Sequence, residues 1–171
     1  SNNAIFTSRG DRNLDLLIDI WSNQIYPEFK KGKLFVTPYK TFNEHNNIFI
    51  RNMGSRDDLI KDLLQSKVLL VPGHKAELFC LAAAEAQELC IPIVTLGIGS
   101  LYERVEHNIN GFIVDVNDSK SMAEKLIYLL KNREQRNKFG VNARDIAIRK
   151  LDISICTNKH IRAYKKIKSL S

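Results

Sequence analysis

No stretch of this sequence stays apolar for the ~20 residues that a bilayer-spanning helix needs, so no transmembrane segment is predicted. Cysteine is scarce: Cys80, Cys90 and Cys156 are the three present, and no two form a C-x-x-C pair. That count argues against a disulfide framework and a structural zinc site, and for a reducing compartment. The four histidines, His45, His74, His107 and His160, are scattered, and each is expected on the surface or in a loop rather than on a metal. No D-x-D loop is present, and the opening "SNNAIFTSRG" lacks the basic start and long apolar region of a secretory leader. Two phosphate-binding signatures are missing as well, the dinucleotide fingerprint G-x-G-x-x-G and the P-loop G-x-x-x-x-G-K-[ST].

What is present is an ordinary globular composition: 171 residues, 44% apolar and 26% charged, enough for one domain with a real core. The net charge is +7, much of it near the closing "RAYKKIKS", which favours an anionic partner. A phosphorylated small molecule, an anionic membrane face and nucleic acid all fit that charge. The basic run lacks interleaved aromatics for base stacking, so no nucleic-acid partner is expected.

The hydrophobic pattern alternates strands with helices. "AIFTS", "KLFVTPY", "IFIRNM", "KVLLVPG", "IPIVTLG" and "NGFIVDV" read as strands. "KVLLVPG" is a continuous apolar run of the kind buried on both faces of a parallel sheet. Between them "NLDLLIDIWSNQIYPEF" reads as a helix ended near Pro27, and a polar loop "KTFNEHNN" follows the second strand. "SRDDLIKDLLQS" reads as a helix capped by Ser55, "CLAAAEAQELC" and "SLYERVEH" as two more, and "DSKSMAEKLIYLLKN" as one capped by Asp118 or Ser119. "REQRNKFGVNARDIAIRKL" and "ISICTNKHIRAYKKIKSL" close the chain as helices. The class is α/β, a Rossmann-like doubly wound parallel sheet of about six strands with helices on both faces.

In such a sheet ligands bind beyond the carboxyl ends of the strands, which directs attention to "SRGDRN", "PGHKAELF" and "GIGS". Arg9 and Arg12 precede a helix start, an anion site built by direct charge. Gly97 and Gly99 let a backbone approach a ligand. Glu77 stands where the helix "CLAAAEAQELC" is about to begin, and Glu85 lies inside it among Ala82, Ala83, Ala84 and Ala86. A carboxylate in that setting either faces solvent or is retained to hold something, because burial of an unpaired charge costs more than the roughly 2–7 kcal/mol of a neutral polar group.

The spacing of Glu77 and Glu85 resembles the signature E-P-F-G-x-x-x-x-E-A of the retaining group 1 glycosyltransferases, which have the two-domain GT-B fold. Here it reads Glu77, Leu78, Phe79, Cys80, then Glu85, Ala86 and Gln87, similar to a variant that carries F-C and E-A-Q. "GSLYERV" resembles the family's G-x-x-x-E-x-V, with Gly99 and Glu103 in place, and "NGFIVDV" its N-G-x-x-V strand. "SRGDRNLDLLIDIW" resembles the family's arginine-plus-lysine loop, with Arg9 for the arginine, Arg12 for the lysine and Asn13 for the usual glycine.

The resemblance runs from residue 5 to about residue 145 and covers the donor-binding half of such enzymes. It implies that residues 1–171 are a single C-terminal nucleotide-sugar-binding domain, with the N-terminal acceptor domain outside this chain. It further implies a UDP- or GDP-linked donor and transfer of a hexose with retention to an acceptor glycan or lipid-linked sugar. Polysaccharide, lipopolysaccharide, glycoprotein or glycolipid synthesis would be the setting, with no cofactor and no metal, and these residues alone are not expected to transfer sugar. Arg9, Arg12 and Glu77 take the catalytic places, the arginines on the diphosphate and Glu77 on sugar hydroxyls. Glu85 takes the ribose hydroxyls, Phe79 and Cys80 offer backbone amides, and Gly99 and Ser100 border the diphosphate. The loop of Met53 and Gly54 is a candidate base pocket. A cytoplasmic protein, compatible with peripheral contact at the membrane's cytoplasmic face, is the expected setting. Two alternatives remain: a non-catalytic nucleotide-sugar-binding module supporting an active partner, and a receiver or flavodoxin-like domain. A receiver's acidic cluster is missing near the first strand end.

Overall fold

The computed structural model describes residues 1–40 and 44–169; the polar loop expected over "KTFNEHNN" falls in part on 41–43, outside the described residues. Six short strands form one sheet: β1 (Asn3–Phe6), β2 (Lys33–Val36), β3 (Ile48–Ile50), β4 (Val68–Leu70), β5 (Ile93–Thr95) and β6 (Gly111–Ile113). Every neighbouring pair is parallel, in the order β3-β2-β1-β4-β5-β6. Ala4 faces Leu34 on one side and Val68 on the other, and Val94 faces Leu70 and Phe112. The central strands are buried on both faces, with Ala4, Ile5, Phe6, Val68, Leu69, Leu70, Ile93 and Val94 sealed from water. Burial of both faces is what selects continuous apolar runs over alternation.

The chain builds outward from β1 to β3 and then returns to lay β4 against the free side of β1. Strand order reverses there, so the loops after β1 and β4 diverge and leave a crevice between them. Right-handed crossovers place α1 (Leu14–Ile20) on one face, where it packs with α6 (Ser119–Lys131). They place α3 (Arg56–Gln65) and α4 (Leu81–Glu88) on the other face, and α4 packs along α7 (Arg133–Leu151). The short α5 (Leu101–Arg104) links β5 to β6.

The helix after β1 ends near Pro27, as its sequence reading expects, but its interior is not uniformly α-helical. α1 runs into a π-helical segment, Trp21–Ile25, and then the short turn α2 (Tyr26–Glu28), which closes one residue after Pro27. Proline has no N–H to donate to the preceding turn. The chain widens instead, and the Tyr26 amide donates to the Trp21 carbonyl five residues back, the π register. Trp21 is thereby driven fully into the core, its indole N–H donating to the Asn46 carbonyl at 2.8 Å.

Helix starts follow local chemistry. Ser55 and Asp58 form a reciprocal capping box on α3, and Asp118, rather than Ser119, caps α6 by accepting from the Ser121 amide. The last helix, α8 (Ile153–Lys168), buries no residue; Ile153, Tyr164 and Ile167 are exposed alongside its lysines. No described helix is long and apolar enough to cross a membrane.

Candidate functional site

Three loops at the carboxyl end of the sheet are stitched together by side chains and close backbone approach. Asn13, just before α1, sits at φ 64, the left-handed region that only glycine and, less readily, asparagine or aspartate enter cheaply. From there its side-chain amide donates to the Gly73 carbonyl at 2.6 Å, tying the β1 loop to the β4 loop. Gly99, at φ 71, presses on that same β4 loop: a Cβ there would lie 2.3 Å from the His74 carbonyl oxygen. The Ser100 amide then donates to the Glu77 carbonyl at 3.0 Å. Glycine at 99 is thus required by contact between loops.

The two glutamates share this frame in different ways. Glu77 Oε1 accepts the Cys80 amide at 3.1 Å, satisfying an N-terminal donor of α4, and its Oε2 lies 3.8 Å from Arg12 Nε. Glu85 is half-buried one face along α4, between the buried Ala84 and Ala86. Its carboxylate has no hydrogen-bond or ion-pair partner among the described residues. Gln87, by contrast, is buried and satisfied: its amide donates to the Arg104 carbonyl at 2.7 Å, fixing α4 to the end of α5. The E-A-Q triplet therefore divides its labour. Gln87 holds the helix, Ala86 lets it approach the sheet, and Glu85 is left to the crevice.

The arginines separate clearly. Arg12 has a side chain 19% exposed, and its Nη1 lies 3.0 Å from His74 Nδ1. Arg9 is 74% exposed and folds back on Asp11. That pairing holds the Arg9 guanidinium above its ordinary value and the Asp11 carboxyl below its own, by hydrogen bond and charge together. The structure brings Arg9, Arg12, Glu77, Phe79, Cys80 and Glu85 onto one cavity of about 510 Å³. A second cavity, about 360 Å³ and mainly apolar, lies between α3 and α4 and shares Phe79, Leu81 and Glu85 with the first. Met53 and Gly54 are exposed at the end of the β3 loop and line neither of these two cavities; Arg56, Leu59 and Ile60, one turn further on, line the second.

Cys80 stands at the start of α4 with φ 55, a conformation that explains a glycine at the matching place of the signature. Its thiol is buried, and burial pushes its pKa up. Phe79 is exposed, with the Arg104 guanidinium 3.8 Å from its ring centroid, a cation–π contact. Two buried hydroxyls find no partner among the described residues, Thr7 Oγ1 and Ser100 Oγ. Thr7 lines the larger cavity and was not singled out from sequence; nor was His74. A threonine after a strand is too common a pattern to be informative. Among the described residues no group of three His, Cys, Asp or Glu is placed to hold a metal ion.

The family described as glycosyl transferases group 1 matches residues 28–146. The chain belongs to that family. It is 26% identical over 141 residues to a glycosyltransferase of Methanocaldococcus jannaschii, covering 80% of this chain and 40% of that protein. TarM of S. aureus superposes with a TM-score of 0.80 at 20% identity, over 94% of this chain and 35% of TarM. HepE of Anabaena superposes at 0.79 with 17% identity, over 97% of this chain and 49% of HepE. The structural neighbours show the fold, a Rossmann-like α/β sheet of the kind found in GT-B proteins. This group 1 chain spans less than half the length of the curated relatives it matches.

Proposed function

We propose that this chain is the donor-binding half of a retaining glycosyltransferase, and that the crevice between the β1 and β4 loops holds a nucleotide-sugar. The observation that carries the reading is Glu85: a half-buried carboxylate, unpartnered among the described residues, opening on the cavity that Arg12 and Glu77 also line. An ionised carboxylate accepts two hydroxyl donors side by side. The vicinal diol of a ribose supplies them, so the ligand itself satisfies the group that the fold leaves open. UDP is present in the TarM crystal and UDP-glucose in that of HepE, which supports a nucleotide-sugar of that class. In this reading the base enters the apolar cavity between α3 and α4 beside Leu59 and Ile60.

The chemistry follows from charge. Breaking the bond between the anomeric carbon and the phosphate oxygen leaves the electron pair on the diphosphate and positive charge on the sugar ring. Arg12, fixed at the crevice, stabilises the leaving diphosphate; loss of one such donor typically costs about 10²–10³ in rate, or ~3–4 kcal/mol. Arg9 adds charge from the rim once it leaves Asp11. Glu77 reaches sugar hydroxyls with the lone pairs that Cys80 does not use, and the amides of Phe79 and Cys80 lie at the same edge. With the diphosphate met by guanidinium groups, transfer needs no metal. The acceptor, a glycan or lipid-linked sugar, is met on a second domain, and transfer occurs between the two. Retention, the hexose and a role in polysaccharide, lipopolysaccharide or glycoconjugate synthesis belong to the same reading.

A thermal-unfolding screen of UDP- and GDP-sugars with chelator present tests it. At 100 times its dissociation constant the correct donor adds about 2.7 kcal/mol and raises the midpoint. A screen in which no nucleotide-sugar moves the midpoint contradicts the proposal.

A further inference from the structure

We infer that His74 is a positioning residue, whose neutral imidazole holds the Arg12 guanidinium toward the donor's diphosphate without cancelling its charge. The inference rests on the donor-site reading above and adds to it a residue that touches neither donor nor acceptor.

Two donors converge on one ring nitrogen. His74 Nδ1 lies 3.0 Å from Arg12 Nη1 and 3.1 Å from the Ala76 amide nitrogen. A guanidinium and a backbone amide can only donate. Nδ1 is therefore the acceptor of both, and the ring proton is assigned to Nε2. An imidazolium has no lone pair at Nδ1 and would lose both bonds.

The imidazole is a firm post. Its backbone carbonyl accepts the Glu77 amide at 2.9 Å. The preceding carbonyl, that of Gly73, is held by Asn13 at 2.6 Å, so Arg12's own neighbour in sequence grips the loop that carries His74. Gly99 packs against the same His74 carbonyl.

Arg12 depends on that post. Its remaining polar neighbours are carboxylates at ion-pair range but beyond a good hydrogen bond: Asp11 at 4.0 Å and Glu77 at 3.8 Å. A short bond to either would orient the guanidinium only by neutralising it. A neutral acceptor orients it and leaves its charge for the ligand. Arg9 shows the other outcome, a guanidinium paired to Asp11 and turned to solvent.

The test is UDP binding by calorimetry to the unsubstituted chain and to His74→Ala, His74→Asn, His74→Gln, Arg12→Ala and the Arg12→Ala/His74→Ala double variant. Asparagine's Oδ1 falls about where Nδ1 stands; glutamine places its oxygen further out. His74→Ala and His74→Gln are expected to weaken UDP about tenfold, the scale of one hydrogen bond to a charged group. His74→Asn stays within about twofold, and His74→Ala adds nothing once Arg12 is already alanine. Should His74→Ala fail to fold, the asparagine–glutamine comparison decides. Equal affinity for those two variants overturns the inference, as does a full tenfold loss in the Arg12→Ala background. If UDP, GDP and their sugars all fail to bind the unsubstituted chain, the donor-site reading falls and this inference with it; if UDP binds equally to all His74 variants, only the inference falls.

Discussion

At the scale of single residues, the informative side chains are those whose local conformation or satisfaction departs from the ordinary. Cys80 is one. It occupies a left-handed position where its backbone is strained, and its thiol is buried with its pKa raised. Alkylation at mildly alkaline pH, followed by mass spectrometry, should modify the exposed Cys90 and spare Cys80 in the folded chain; equal labelling would contradict that burial. That Glu77 and Glu85 would meet at one crevice was legible because both lie within one short run at the carboxyl end of β4. Asn13 was legible as a stand-in for glycine, and its φ of 64 gives the physical reason. His74 was not legible. Its partner Arg12 lies 62 positions away, and only the β1–β4 contact brings the two together.

At the scale of elements, helix starts were readable and one helix interior was not. Ser55 and Asp58 are three residues apart, so the box they form is a local event. Ser55→Ala should lower stability by about 1 kcal/mol near neutral pH. Hydrogen bonds from Ser55, with Lys61 nearby, hold the Asp58 carboxyl below its ordinary value. A depressed carboxyl contributes stability that is complete above its unfolded value, about 3.9, and is lost as pH falls through the folded one. Denaturation curves of wild type and Ser55→Ala should therefore converge toward acid, and a gap independent of pH would contradict the box. The local pattern gives this helix and its end near Pro27 but not the π register between them. The widened register goes with full burial of Trp21 and Ile25, and burial is a tertiary fact that no local pattern contains.

At the scale of the whole molecule, the alternation of strand and helix was enough for a parallel doubly wound sheet. The exchange of direction at β1 then places the crevice of the candidate site without reference to any side chain. The closing helix stands apart from this economy. Because α8 buries no residue, removal of 153–171 should leave the sheet folded, with a thermal midpoint within a few degrees of the intact chain. Loss of cooperative unfolding on truncation would contradict that.

The ribose contact is the claim on which the rest depends, and affinity for UDP against 2′-deoxy-UDP tests it most directly. The intact chain should prefer UDP by about tenfold, the worth of one charged hydrogen bond, and Glu85→Ala should bind the two alike. Undiminished preference in Glu85→Ala would contradict the account.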